Sequence, residues 1–278
     1  MKDCVLVLNA AEARVQFALA RVCDGFGGVG ERPVEWLCSQ QWSAPSRGTE
    51  ILPAALEQAF RLLGLTPAAC LGRIACVRGP GSFTGIRLAL TLGAALHRTT
   101  GAPLCGINYL QALAASAPKE HEERNGRFVR VLTHARRNLV HMQDFWQASS
   151  AGGWPEPLAD PQMVDLDHVL DGLPTLLAKA PVRLVGSGLT RNTDALLPLL
   201  PEGCRGVPGQ TDHPAIRVLL QAALNAPEQQ EDLDPLYLRP CDAVDNLAHI
   251  AKGRGQNPEE AEARLDALLE RRPDASTF

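Results

Sequence analysis

Two apolar runs open the chain. CVLVLNA, Cys4 to Ala10, is continuous, and RVQFALARV, Arg14 to Val22, alternates enough to lie against a core; both read as strands of a meander, followed by the glycine-rich GFGGVG. From Thr49 to Leu63 the period changes. Ile51, Leu52, Ala55, Leu56, Ala59, Phe60 and Leu63 recur at helical spacing, and Pro53 is compatible if it lies in the first turn, so a helix starting near Thr49 or Glu50 is expected. A strand over Arg73 to Val77, a glycine-rich turn and an amphipathic helix from Thr84 to Arg98 come next. A boundary falls near Gly101 to Asn108. Beyond it lie a weaker helical run, Tyr109 to Ala117, strands over Arg127 to Thr133 and Asn138 to Trp146, a Pro- and Gly-rich passage, a helix near Asp165 to Ala180, and a strand Val182 to Val185 leading into GSGL. Strands first, then alternating strand and helix, in two successive halves, predict a duplicated α/β architecture.

The turn GPGSFTG, Gly79 to Gly85, is the densest chemical signal. A dinucleotide fingerprint needs glycines at the first, third and sixth positions, and here they fall first, third and seventh. A phosphate-binding P-loop would end in Lys and then Ser or Thr, where this chain has Ile86 and Arg87. A nucleophile elbow would flank Ser82 with glycines two residues away, where Pro80 and Thr84 stand. Two readings remain. The turn is either a backbone nest at a helix N-terminus, with Gly79, Gly81, Ser82 and Thr84 able to hold an anion or nucleotide, or a tight strand-to-helix connection capped by Ser82 or Thr84. In the helix behind it Gly85, Ala89 and Gly93 fall four apart, a smooth stripe suited to internal packing or to the close approach of a partner helix.

Composition narrows the setting. A chain of 278 residues, 45% hydrophobic, can bury a sizeable core. No run approaches the ~18–20 apolar residues of a membrane span, and the N-terminus reads as a strand rather than a signal peptide, so the cytoplasm is the expected location with no membrane contact. The eight cysteines contain no Cys-x-x-Cys pair and read as reduced, mostly buried thiols, giving no support for a metal. A net charge of −4 argues against a dominant nucleic-acid grip. Arg124, Arg127, Arg130, Arg136 and Arg137 are locally dense, but strand alternation puts Arg127 and Arg130 on opposite faces, and pairing with Glu120, Glu122 and Glu123 is the expected fate. His134 and His141, seven apart, read as surface or hairpin histidines. Near the C-terminus Asn257 can cap a short helix begun by Pro258, Glu259 and Glu260, with Leu265, Leu268 and Leu269 as its apolar stripe.

The string GPGSFTG followed by Ile86 and Arg87 resembles the signature of the bacterial YeaZ/TsaB family, the non-catalytic partner in threonylcarbamoyladenosine modification of tRNA. Weaker similarities lie in SRGTEILPAAL (Ser46 to Leu56), GINYLQALA (Gly106 to Ala114) and DPLYLR (Asp234 to Arg239), so the resemblance spans residues 1 to about 240, unevenly. It implies a two-lobed actin-like ATPase (ASKHA) fold, each lobe ribonuclease H-like. The first lobe would comprise 1–106 plus about 212–240, the latter with a helix around His213 to Asn225. The second lobe would comprise 107–211, and 241–278 would be an extension.

The resemblance also implies a helical partner surface, carried here by Leu52, Leu56, Phe60, Gly85, Ala89 and Gly93. That surface would serve a homodimer in isolation or a TsaD-type catalytic paralogue, with a TsaE-type ATPase as a further contact and tRNA only indirectly or weakly bound. No catalytic residue, metal or cofactor is expected in this chain. Active superfamily members carry an acid on the first strand; the matching place holds Asn9, an amide that lacks the charge Mg²⁺ prefers. Ala10 and Ala11 replace the hydroxyls of the family's Thr-Ser, and the His-x-x-x-His pair of the catalytic paralogue is missing. His134-Ala135-Arg136 stands where relatives show Asp-Ala-Arg. The alternatives are a stand-alone ATPase or phosphotransferase of the same fold, and a diverged homodimeric binding protein.

Overall fold

A computed structural model of the chain describes residues 2–23, 33–43, 47–118, 125–149, 153–238 and 247–270. It divides into a unit of residues 1–238 and a smaller one of 239–278. In the first unit the chain runs through β1 (Cys4–Asn9), β2 (Arg14–Val22), β3 (Val34–Ser43), α1 (Gly48–Leu62), α2 (Pro67–Cys70), β4 (Leu71–Gly79), α3 (Phe83–Thr100), β5 (Leu104–Asn108) and α4 (Tyr109–Ser116). It continues through β6 (Arg127–Arg136), β7 (Leu139–Gln147), β8 (Glu156–Pro157), β9 (Gln162–Asp165), α5 (Leu173–Leu177), β10 (Val182–Val185), α6 (Ser187–Arg191), α7 (Thr193–Leu196), β11 (Cys204–Gly206), α8 (Ile216–Asn225) and β12 (Glu228–Gln229).

Two sheets result. One has the order β12-β5-β4-β1-β2-β3, the other β11-β10-β6-β7-β8, with β9 also on β7. β1 is continuously apolar because helices cover both of its faces. Leu6 and Leu8 pack with Leu52, Leu56 and Phe60 of α1 and Ala89 of α3, whereas Val5 and Val7 pack with α4 and α8. The same α4 and α8 layer meets Val129, Val131 and Phe145 of the second sheet. The other face of β6, Phe128 and Leu132, packs with Leu173 of α5 and Leu189 of α6. The molecule is therefore an actin-like α/β fold in which α4 and α8 lie between two sheets.

The chain's late return is fixed by charge as well as by burial. β12 pairs antiparallel with β5, and Arg73 of β4, nearly buried, donates to the Glu228 carboxylate and to the carbonyls of Ala223 and Leu224 at the end of α8. A buried guanidinium is tolerated because carboxylate and carbonyl acceptors surround it.

Several sequence expectations need correction. Pro53 sits inside α1, beyond its first turn, on the exposed side, where water can solvate the carbonyl it leaves unpaired. The helix expected near Asp165 to Ala180 shrinks to a short 3₁₀ turn and α5, because Gly172 adopts φ 75° and breaks the run. β3 and β5 carry no clear alternation, so the pattern of apolar positions does not mark them as strands. Arg127 is buried and donates to Gln147 and to the carbonyls of Ala117 and Pro118, while Arg130 pairs with Asp144 at 2.7 Å and reaches the carbonyls of Val169 and Asp171. His141 is a hairpin histidine, paired across β6 and β7 with Thr133, and it is buried there rather than at the surface. Cys4, Cys70, Cys76 and Cys105 are buried free thiols, and Cys23 is an exposed one. No helix among the described residues is long and apolar enough to cross a membrane.

The second unit contains α9 (Leu247–Gly253) and α10 (Pro258–Glu270), and the Asn257 side chain accepts from the Glu259 N–H at 3.1 Å as the cap. GFGGVG, Glu120, Glu122, Glu123, Arg124, Cys241 and the side chains of Leu268 and Leu269 lie outside the described residues.

Candidate functional site between the two sheets

The signature turn is locked onto the end of β1. The Gly79–Pro80 bond is cis, and the Ser82 N–H donates to the Ala11 carbonyl at 2.6 Å. A side chain on Gly81 would put its Cβ 2.1 Å from that carbonyl oxygen, and one on Gly85 would come within 1.8 Å of the Ala10 oxygen. Ser82 is the cap of α3, its hydroxyl accepting from Gly85 N–H at 3.3 Å, and its own carbonyl takes the Ile86 N–H. The N–H groups of Ser82, Gly85 and Ile86 are thus spent on the protein's own oxygens, so of the residues expected to hold an anion, Ser82 has its donor taken by β1. Ser82→Ala should lower stability by about 1 kcal/mol, read as a shift in denaturant midpoint at constant slope.

The stripe Gly85, Ala89, Gly93 also faces inward. Gly85 abuts Ala10, Ala89 is fully buried, and a Cβ on Gly93 would meet the Cys76 sulfur at 2.4 Å. Leu52, Leu56 and Phe60 likewise line the core under α1. All six residues expected at a partner surface hold α1 and α3 to their own sheet. The small side chains let a helix come close, and the element that comes close is the parent sheet.

Asn9, at the end of β1, is fully buried. Its amide donates to Gln16 at 2.7 Å and its oxygen accepts from Ala11 N–H, while Gln16 also donates to the Pro214 carbonyl. It is a structural link from the first hairpin to the segment before α8.

The acid of the cleft is Glu12, three residues on. Its carboxylate accepts from the Ser187 hydroxyl at 2.7 Å and from the Tyr109 hydroxyl at 3.0 Å, with His213 Nδ1 at 3.8 Å. The carboxylate thus ties the start of α6, beside the second sheet, to the start of α4, and the Tyr109 hydroxyl, 3.3 Å from His213 Nδ1, extends the link to the approach to α8. Burial pushes Glu12 up from the usual carboxylate range to about 7, outweighing the hydrogen bonds from Ser187 and Tyr109. Burial, with the Arg14 guanidinium, pushes His213 down to about 4, and burial drives Tyr109 well above its ordinary value. Near neutrality Glu12 is the group in this cluster that titrates.

Chemically this is a clasp. Ser187 is almost buried, donates to Glu12 and accepts from the His134 N–H, so its hydroxyl is held on both sides. Both partners are fixed groups of the fold, a carboxylate and a backbone N–H, rather than the histidine base a serine nucleophile needs. Among the described residues no three His, Cys, Asp or Glu side chains converge as metal ligands. Sequence reading missed Glu12, Ser187, Tyr109 and His213 as a group. The available signals were an acid directly after Ala10-Ala11 and a serine between glycines in GSGL, both too short to connect without the fold.

Fold and clasp define the chain as a two-sheet actin-like α/β protein whose inter-sheet cleft is pinned shut by side chains. Residues 44–176 match the family model described as TsaD: tRNA N6-adenosine threonylcarbamoyltransferase. Among solved structures, the chain is similar to YeaZ from Pseudomonas aeruginosa, with TM-score 0.62, 20% identity, and coverage of 85% of this chain and 100% of that one. A second structure, of a protein with similarity to peptidase YEAZ from Pseudomonas aeruginosa, gives TM-score 0.63 at the same identity and coverage. Among curated proteins none matches the sequence. The resemblance stated from the signature turn therefore holds at the level of fold.

Proposed function

We propose that this chain acts in tRNA threonylcarbamoyladenosine modification as a non-catalytic subunit that binds and stabilises a TsaD-type transferase. Support comes from the family match over residues 44–176 and from the fold shared with YeaZ. The observation that carries the non-catalytic part is the Glu12 clasp: the cleft's carboxylate is occupied by Ser187 and Tyr109, and Asn9 is consumed by Gln16. A small ATPase of the TsaE type is a further partner in this reading, tRNA is engaged through the transferase, and self-association occurs when the transferase is absent.

Because the inner faces of α1 and α3 are used, the partner surface is their outer face. On α3 Thr84, Thr91 and Ala95 are exposed; on α1 Pro53, Ala54, Glu57 and Leu62 are exposed, Leu62 at 74%. Co-purification with the TsaD-type paralogue tests the proposal. The double substitution Thr91→Arg, Ala95→Arg is expected to abolish capture while leaving thermal unfolding within about 0.5 kcal/mol of wild type, as surface changes do. The isolated chain is expected to transfer nothing to tRNA, and the reconstituted complex to do so. Transfer by the chain alone, or undiminished capture by the double variant, overturns the proposal.

A further inference from the structure

A cavity of about 620 Å³ lies away from the Glu12 clasp, at the carboxyl ends of β4 and β5, where open α/β sheets leave a crevice. Arg78, near the end of β4, Gly106 and Asn108 of β5, and Gln111 of α4 line one side. Gln143 of β7 and the segment Pro157 to Pro161 line the other, and Leu236 completes the wall.

Its polar groups are fixed and only partly used. Arg78 Nε donates to the Asp234 carbonyl at 2.5 Å, which holds the guanidinium in place at the cavity. Asn108 spends its oxygen on the N–H groups of Leu110 and Gln111, leaving its amide nitrogen as a donor. Gln111 spends its nitrogen on the Pro155 carbonyl, leaving its oxygen as an acceptor. Gln143 is only 4% exposed; its nitrogen donates to the Ala159 carbonyl at 2.8 Å, and its oxygen is buried without a partner. An unpaired buried carbonyl is a standing cost to the fold that a donor N–H offsets.

The set is one immobilised cation, one amide donor and two amide acceptors, flanked by Pro157, Leu158 and Leu236. Asp160, also on the wall, disfavours a highly charged anion such as a triphosphate. The geometry points to a binding site for a small organic anion that carries an amide-type N–H, its anionic group on Arg78 and its N–H on Gln143. The volume suits one such molecule. Two sources share this chemistry: N-acyl amino acids and short peptides through their carboxylate, and nucleoside monophosphates through phosphate and base edge.

Calorimetric titration of the full chain decides the matter, with N-acetyl-leucine and N-acetylglycine in one arm and uridine and inosine monophosphates in the other. Acetate and inorganic phosphate serve as bare anions. At least one amide-bearing anion is expected to bind at roughly 1 mM or tighter, and the arm that binds identifies the source. Arg78→Gln and Gln143→Met should each weaken it about tenfold or more. Gln143→Met should leave the thermal midpoint unchanged or raised, since it removes the unpaired acceptor, which separates a binding role from a structural one. The assignment fails if no amide-bearing anion binds the folded wild type, if binding survives both substitutions, or if acetate or phosphate binds as tightly as the larger anions.

Discussion

Gly85→Ala is expected to destabilise this protein more than any other single-methyl change in the signature turn. The added Cβ would lie 1.8 Å from the Ala10 oxygen and 3.0 Å from its carbon, and both are backbone atoms at the end of β1, the strand at the middle of the first sheet. No flexible side chain can swing aside, so either α3 must move off the sheet or the β1–β2 turn must shift. Overpacking of a tight interior typically costs about 1–3 kcal/mol, and this contact belongs at or above the upper end. For a unit of this size that corresponds to a fall in melting temperature of roughly 10 °C. Thr84→Ala, one residue earlier but exposed, should be nearly silent. Thermal unfolding of the two variants side by side is the measurement. If Gly85 instead served as an open docking face, its alanine variant would melt like wild type and lose only partner capture.

Glu12→Gln is expected to remove most of the pH dependence of stability around neutrality. In the folded protein Glu12 titrates at about 7, above its ordinary 4.5, because the charged form is desolvated between the sheets. A raised carboxyl favours folding most at low pH: the contribution is fully present below about 4.5, and it is lost as pH rises through about 7. At about 1.4 kcal/mol per pH unit, the loss between those limits is roughly 3 kcal/mol. The amide keeps an acceptor for Ser187 and carries no charge to desolvate. Chemical denaturation from about pH 5 to 8 should therefore show wild type weakening relative to the variant, with the variant the more stable at the alkaline end. Parallel curves for the two proteins would mean that the clasp stays hydrated and that Glu12 titrates normally.

Much of the fold was legible because its first half is built from long, regular patterns. β1, β2 and α3 follow from continuous or periodic apolar runs, α8 follows from the family resemblance, and the glycine-rich turn announces the strand-to-helix connection between β4 and α3. What stayed hidden had physical reasons. β3 is an edge strand with a mixed exposure pattern, so neither strict alternation nor a continuous apolar run marks it. α5 is short because Gly172 sets a backbone angle that spacing alone does not reveal. The family resemblance puts a partner on the faces of α1 and α3, where small and apolar residues read the same whether they meet another molecule or their own sheet; Ala89 and Leu52 are buried against the sheet. The site was least legible of all. Glu12, Tyr109, Ser187 and His213 are separated by up to two hundred residues, and each is unremarkable in its own sequence context. Only the return of α8 and the apposition of the two sheets place them together.

The layer formed by α4 and α8 bears on motion. Actin-like architectures invite the picture of two lobes swinging about a hinge, but here Val5, Val7, Leu110, Leu113, Leu219, Val129, Val131 and Phe145 belong to one continuous apolar interior. Opening the cleft would wet that interior and strip Glu12 of its two hydroxyl donors at the same moment. The backbone amides of β1 and β6 should accordingly exchange with solvent at one common slow rate, through global unfolding rather than through breathing of one sheet against the other.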